Sequence, residues 1–283
     1  MNYSIDTART DGRLRQAQLK MLAMLKVIDA ICQEFKLEYW LEGGTLLGAI
    51  RHQGFIPWDD DLDLSMPRDS YEKFIKIAPS RLPEHMFLQT PYSDPGYFNL
   101  VTPLKIRDRD SRFVEIHESG DEPYCQGIFI DVFVYDKLDP DSQIVRRNNF
   151  KAKKILRLMR SKFTKISMGH YSGLYKTISR FISQQYLEQQ QRTLIENAKA
   201  LASPWLGIGY DSVNCNLVHH DEIFPLRRVV FEGEEFNIAH QAERLLERQY
   251  GNYMQLPPES ERVMKHCKAL VPYLPSLAKE ACL

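Results

Sequence analysis

Apolar residues first recur at a helical interval. From Asp11 to Phe35, the positions Leu14, Met21, Leu25, Ile28, Ile31 and Phe35 share one helix face, which predicts a long amphipathic helix with a methionine-rich stripe in the core. Glu38 to Leu41 then changes character, because Tyr-Trp-Leu favours a strand. That strand runs into Glu42-Gly43-Gly44-Thr45 and a helix-length segment closed by Arg51 and His52. After turns at Gly54 and Pro57, Asp61-Leu62-Asp63-Leu64 alternates as a strand, with leucines to the core and aspartates together on the other face. Pro67-Arg68-Asp69 opens a helix that buries Tyr71, Phe74, Ile75 and Ala78. Strands are expected at Met86–Gln89, at Asn99–Arg107 (where Pro103 suggests an edge or bulge) and at Ser111–Ile116, the last pairing back as a hairpin. Gly127 to Tyr135, GIFIDVFVY, is the most apolar strand, with Asp131 alone in its middle.

Beyond Ser142 the pattern is helical and basic. No Asp or Glu occurs from Ser142 to Leu187, while Arg146 to Arg180 contains eleven Lys or Arg interleaved with Ile155, Leu156, Leu158, Met159, Phe163 and Ile166. This reads either as a solvated helix face or as a surface attracted to anionic lipid or a phosphate-bearing acceptor; nucleic acid fits less well. Helix continues from Glu188 to Leu201 and stops near Ser203-Pro204. After Ile223-Phe224-Pro225, a hairpin from Val229 to Ile238 turns at Glu232-Gly233-Glu234. A helix from Gln241 to Tyr250 is then capped by Gly251, and Met254–Pro258 leads into a proline-containing tail.

The aspartates carry the candidate chemistry. Two carboxylates about 4 Å apart repel by roughly 4 kcal/mol at an effective dielectric near 20. A rigid strand holds such a pair only with positive charge between its members, and a hard divalent cation is the natural candidate. A solvated acidic turn and a glycosyltransferase-type DxD site are the competing readings. An EF-hand fails, since Leu64 and Ser70 stand where a loop starting at Asp59 needs Gly and Glu. Gly43-Gly44 between strand and helix suits close backbone approach to an anion. Asp131 is costly in a central strand unless paired or metal-bound. Lys105 and Arg107, on one strand face, read equally as a guarded edge or a phosphate clamp.

Composition adds little. Lys plus Arg equals Asp plus Glu at 37 each, so bulk charge names no partner. Five scattered cysteines without a CxxC point to a reducing compartment, and Cys215 near His219 and His220 lacks four-ligand zinc spacing. The polar N-terminus shows no signal-peptide core, and no apolar run of about 18 residues occurs.

Three ordered blocks nevertheless resemble the LicD family: GGTLLGAIRHQGFIPWDDDLDL; GIFIDVFVYDKL; and IFPLRRVVFEGEEFNI followed by RQYGNYMQLPP. The likeness runs from Leu37 to Pro258 and is weakest in the basic helices. It implies an α+β, nucleotidyltransferase-like mixed β-sheet core flanked by helices. Residues 1–138 would form the catalytic core, 139–205 the basic helical segment, and 206–283 the part completing the core. It implies a Mg²⁺-dependent enzyme (Mn²⁺ being the alternative) that moves a phospho-alcohol, such as phosphocholine from CDP-choline, onto a glycan or lipid-linked glycan. Asp61, Asp63 and Asp131 become catalytic and metal-binding residues. Gly43, Gly44, Thr45, Arg51, His52, Trp58, Lys105 and Arg107 become substrate contacts, with Trp58 and Tyr97 as candidate rings for a quaternary ammonium. The zinc-finger insertion and membrane anchor of the family's animal members are not visible, so a bacterial-type enzyme at the cytoplasmic face of the membrane is expected.

Overall fold

The computed structural model describes residues 12–164, 172–214 and 216–274; Ile166, Cys215, Cys282 and the tail after Leu274 lie outside the described residues. Helix α1 (Arg13–Glu34) buries Leu14, Met21, Leu25, Ile28 and Ile31, as their spacing predicts. Strand β1 (Trp40–Leu41) pairs antiparallel with β2 (Asp63–Pro67), and α2 (Gly43–His52) lies between them. Gly43 sits at φ +54°, a left-handed conformation that lets the chain turn straight from strand into helix. Helix α3 (Arg68–Ile77) follows and buries Tyr71 and Phe74.

Strand β6 (Phe129–Leu138) is the axis of a seven-stranded mixed sheet. It runs parallel to β2 on one side. Its other side is shared by β4 (Leu104–Asp108) over its first half and β7 (Trp205–Ile208) over its second, both antiparallel. Strand β3 (Met86–Gln89) flanks β4, and β8 (Leu217–His219) flanks β7. The architecture is α+β, and β6 is buried on both faces, which explains its apolar run.

Two expectations give way. The strand expected from Asn99 starts only at Leu104, after Pro103, and it is interior rather than an edge. Strand β5 (Arg112–Glu115) does not fold back on β4, whose two edges are already taken by β3 and β6. It pairs instead with β11 (Cys267–Val271) from the far end of the chain, Phe113 opposite Leu270.

The basic segment forms α4 (Gln143–Phe163), α5 (Ser172–Ser179) and α6 (Gln184–Lys199). The hydroxyls of Ser142 and Ser183 cap α4 and α6 by accepting from the Val145 and Tyr186 N–H groups. Val145, Ala152, Ile155, Met159, Leu187 and Leu194 make a second hydrophobic core there with Leu138 and Tyr210. A one-turn helix α7 (His220–Ile223) leads to the hairpin β9 (Arg227–Phe231) and β10 (Glu234–Ile238), then α8 (Ala242–Tyr250) ends at Gly251.

Candidate active site

Strand register builds the site. Asp63 lies opposite Asp131, Asp131 opposite Lys105, and Lys105 opposite Gln89. Opposed residues share a sheet face, so these four form one row across β2, β6, β4 and β3. Lys105 Nζ is 2.9 Å from Asp131 Oδ1 and 3.2 Å from Glu115 Oε1, and it lies over the Phe129 ring at 3.4 Å. Arg107, two residues on, is fully buried and donates to Gln89 Oε1 and the Gly127 carbonyl, with Glu115 as its ion-pair partner. Burial would raise the Glu115 carboxyl, but Lys105 and Arg107 outweigh it and hold it at about 2.

The acidic loop approaches this row from β2. Leu62 and Leu64 are fully buried, and Asp61 stands just before the strand while Asp63 begins it. The Asp63 N–H donates to Thr45 Oγ1 at 2.9 Å, so the threonine fixes the start of β2. Gly43 and Gly44 pack against carboxylates. A Cβ on Gly43 would lie 3.3 Å from Asp63 Oδ2, and one on Gly44 would lie 2.9 Å from Asp59 Oδ2.

Asp60 has a different task. It is buried and accepts from the N–H groups of His266 at 3.0 Å and Cys267 at 2.7 Å, and pairs with His266 Nδ1 at 3.0 Å. This clamp sets His266 Nδ1 3.1 Å from Asp61 Oδ2. The bond to Asp60 raises the imidazole against the opposing effect of burial, and Asp61 adds to it, giving about 9.

Burial, then mutual repulsion, lifts the carboxyls of Asp59 and Asp63 well above the usual range. Burial also lifts Asp61, to about 6 even with His266 beside it, and Asp131, which Lys105 partly restores. Glu42, at the N-terminus of α2, is raised by burial as well, despite the hydrogen bond that Trp40 Nε1 donates to it at 2.8 Å. Lys105 and His266 do not balance this much negative charge. Crowded hard oxygen donors of this kind fit Mg²⁺ or Mn²⁺. Among the described residues, the sets of three ligand atoms all within 4.8 Å are Asp60–Asp61–His266 and Glu115–His117–Glu118. Asp60 is committed to backbone N–H groups and Glu115 to two cations, while Asp61 keeps His266 and Asp131 keeps Lys105 as partners; neither set includes Asp63 or Asp131.

Two cavities meet at Asp63. One, of about 570 Å³, is lined by Asp61, Asp63, Lys105, Asp131, Tyr97 and Tyr124 among others. Its Tyr97 hydroxyl is buried without a hydrogen-bond partner among the described residues, and the Tyr97 and Tyr124 ring centroids are 5.5 Å apart. Arg160 and Thr164, at the end of α4, also line it. The other, of about 530 Å³, is lined by Glu42, Gly43, Asp63, Tyr135, Asn216 and Arg248 among others, and Phe133 borders both.

Arg51, His52 and Trp58 line neither cavity. Arg51 donates to the Tyr253 carbonyl at 2.7 Å, the His52 ring meets Trp58 edge-on at 6.3 Å, and Arg262 lies over Trp58 at 5.6 Å. Arg107 is sealed behind Lys105 and Glu115. Sequence reasoning passed over Asp59 and Asp60, which stand in the same acidic run. It weighed His266 beside Cys267 only for zinc, whose four-ligand spacing is missing, and no local signal places that histidine at the acidic run.

Residues 36–168 match the family described as LicD/FKTN/FKRP, nucleotidyltransferase domain. The chain is 27% identical over 259 residues to the lipopolysaccharide cholinephosphotransferase LicD of Haemophilus influenzae, covering 89% of this chain and 96% of that protein. It is 63% identical over 30 residues to the human ribitol 5-phosphate transferase FKRP, 11% of this chain and 6% of that protein. Residues 36–168, with Asp61, Asp63 and Asp131 among them, therefore form a LicD-family domain.

Proposed function

We propose that this protein transfers a phospho-alcohol from a CDP-linked donor to a hydroxyl of a glycan or lipid-linked glycan. The observation carrying this reading is the row Asp63–Asp131–Lys105 in the wall of the larger cavity, with Asp61 and its excess negative charge alongside. Mg²⁺, or Mn²⁺, held by Asp61 and Asp63 with Asp131 beside them, would neutralise the charge of the donor's pyrophosphate and of the departing CMP. Asp131, fixed by Lys105, orients the acceptor hydroxyl and takes its proton as the oxygen attacks phosphorus. The new P–O bond forms while the bond to the CMP oxygen breaks, and CMP leaves. Such proton transfer typically contributes 10²–10⁴-fold, on the order seen for positioned carboxylates. Lys105 supplies positive charge to the transferring phosphoryl oxygens.

Choline as the transferred alcohol is supported by the relative named a cholinephosphotransferase, and by the Tyr97 and Tyr124 rings with Glu118 in the same cavity. Aromatic faces backed by a carboxylate suit a quaternary ammonium. Gly43 and Gly44 keep the acidic loop close to the N-terminus of α2, where a phosphate would find backbone N–H groups. The enzyme works at the cytoplasmic face in this reading. The test is to incubate the protein with Mg²⁺ and CDP-choline, CDP-ribitol or other CDP-alcohols, with and without lipid-linked glycan, and measure CMP. Acceptor-dependent CMP release is expected; protection from thermal unfolding by UDP-sugars, with none by CDP-alcohols, would replace this reading with glycosyl transfer.

A further inference from the structure

Large apolar side chains stand unusually exposed in the helical segment. Ile144 is 69% exposed, Phe150 63%, Leu174 57%, Ile178 39% and Phe181 86%. The apolar residues most visible in the sequence there, Ile155, Leu156 and Met159, are instead buried in the fold. Leu174 and Ile178 on α5, with Phe181 in the turn that follows, are spaced four and three apart and so share one face.

Exposed cations accompany these side chains, Lys176 and Arg180 in and just after α5, and Arg146, Arg147, Lys151 and Lys154 on α4. Lys154 Nζ lies 4.4 Å over the Phe150 ring. No Asp or Glu occurs from Ser142 to Leu187. Among the described residues, the nearest lysine or arginine on either side that is paired with a carboxylate is Arg107 or Lys199.

We infer that α5, the turn through Phe181 and the exposed face of α4 dock on an anionic lipid bilayer. Exposed aliphatic and aromatic side chains among cations without carboxylate partners are what a headgroup layer takes up, the apolar atoms entering by about 5–10 Å. The segment lies on the surface, because no described helix is long and apolar enough to cross. Two copies of this face would repel through their like charges, and nucleic acid would leave the aliphatic stripe in water. Arg160 and Thr164 at the end of α4 line the larger cavity, so docking would bring that cavity to a membrane-borne acceptor. This last step rests on the proposed phosphotransfer; the docking itself does not.

The experiment is sedimentation of the full chain with vesicles of phosphatidylcholine alone, or mixed with phosphatidylglycerol. Binding to the mixed vesicles only is expected. The triple variant Leu174→Ser, Ile178→Ser, Phe181→Ser and the variant Arg147→Glu, Lys154→Glu, Lys176→Glu should each lose about tenfold or more in affinity. Both should keep the wild-type melting temperature and release CMP from a soluble donor at the wild-type rate. Wild-type binding only to phosphatidylcholine, equal binding by the triple serine variant, preferred binding to a short RNA, or a dimer that the serine variant dissolves would each overturn the inference. Absent CMP release with intact vesicle binding would instead count against the phosphotransfer alone.

Discussion

Strand β6 carries two buried aspartates five residues apart, Asp131 and Asp136, which the alternation of a strand places on opposite faces of the sheet. Asp136 is fully matched. It accepts from Arg68 Nε and Nη2, both at 2.7 Å, and from the Tyr210 N–H at 3.2 Å, while Arg68 also binds Asp211. Asp131 has Lys105 but also faces Asp61 and Asp63, and all three carboxyls are pushed upward. One cluster is arranged to close the fold. The other keeps negative charge in excess, which the proposed cation would offset.

The sharpest way to break this comparison is to neutralise one member of each. Asp63→Asn or Asp131→Asn should lower transfer by about 10²–10⁴-fold. Metal-free protein carrying either change should melt no lower than the wild type, since repulsion is relieved. A fall in melting temperature together with activity would make these aspartates structural. Arg68→Met should behave in the opposite way, costing about 3–5 kcal/mol in urea unfolding because Asp136 and Asp211 are left buried and unpaired. A cost below about 1 kcal/mol would erase the distinction.

Acid titration tests a third group, Glu115, whose carboxyl is held at about 2 against an ordinary 4.5. A depressed carboxylate contributes stability that is present above the higher value and lost as pH falls through the lower one. The wild type should therefore lose about 3 kcal/mol at most between those two values. Glu115→Gln should flatten that limb, which pH-dependent urea denaturation would reveal. The smallest effect expected is stabilisation by Mg²⁺ or Mn²⁺, about 2.7 kcal/mol at a hundred times Kd. It should vanish in Asp61→Asn and persist after disruption of the Asp60–His266 bond by His266→Gln; equal stabilisation of the Asp61→Asn protein would move the ion elsewhere.

Much of the strand pair at the candidate site is written locally. Asp61 and Asp63 alternate with two leucines, and Asp131 interrupts an otherwise apolar run, so each is conspicuous without its partner. The hairpin expected after β4 misled because adjacency along the chain says nothing about which sheet edges are still vacant. Lys105 and Arg107 suggested an edge because nothing in their own strand reports that β3 and β6 cover it on both sides. His266 reaches Asp60 across 206 residues, and Asp60 looks in sequence like any other member of the acidic run. The helical segment was legible as basic and amphipathic, yet its apolar residues divide between a second core and the surface in a way that spacing could not assign.

The sequence by itself determined the type of most helices and of the strands that carry Asp63 and Asp131, several turns, and the Gly251 stop of α8. Those depend on torsions and periodicities spanning a few residues. Only tertiary structure decided that Asp63 stands opposite Asp131, that Lys105 is buried between two acids, and that the two cavities meet at Asp63. Register and burial are set by the packing of the whole sheet, and a charge acquires its function from the dielectric and the partners that this packing gives it.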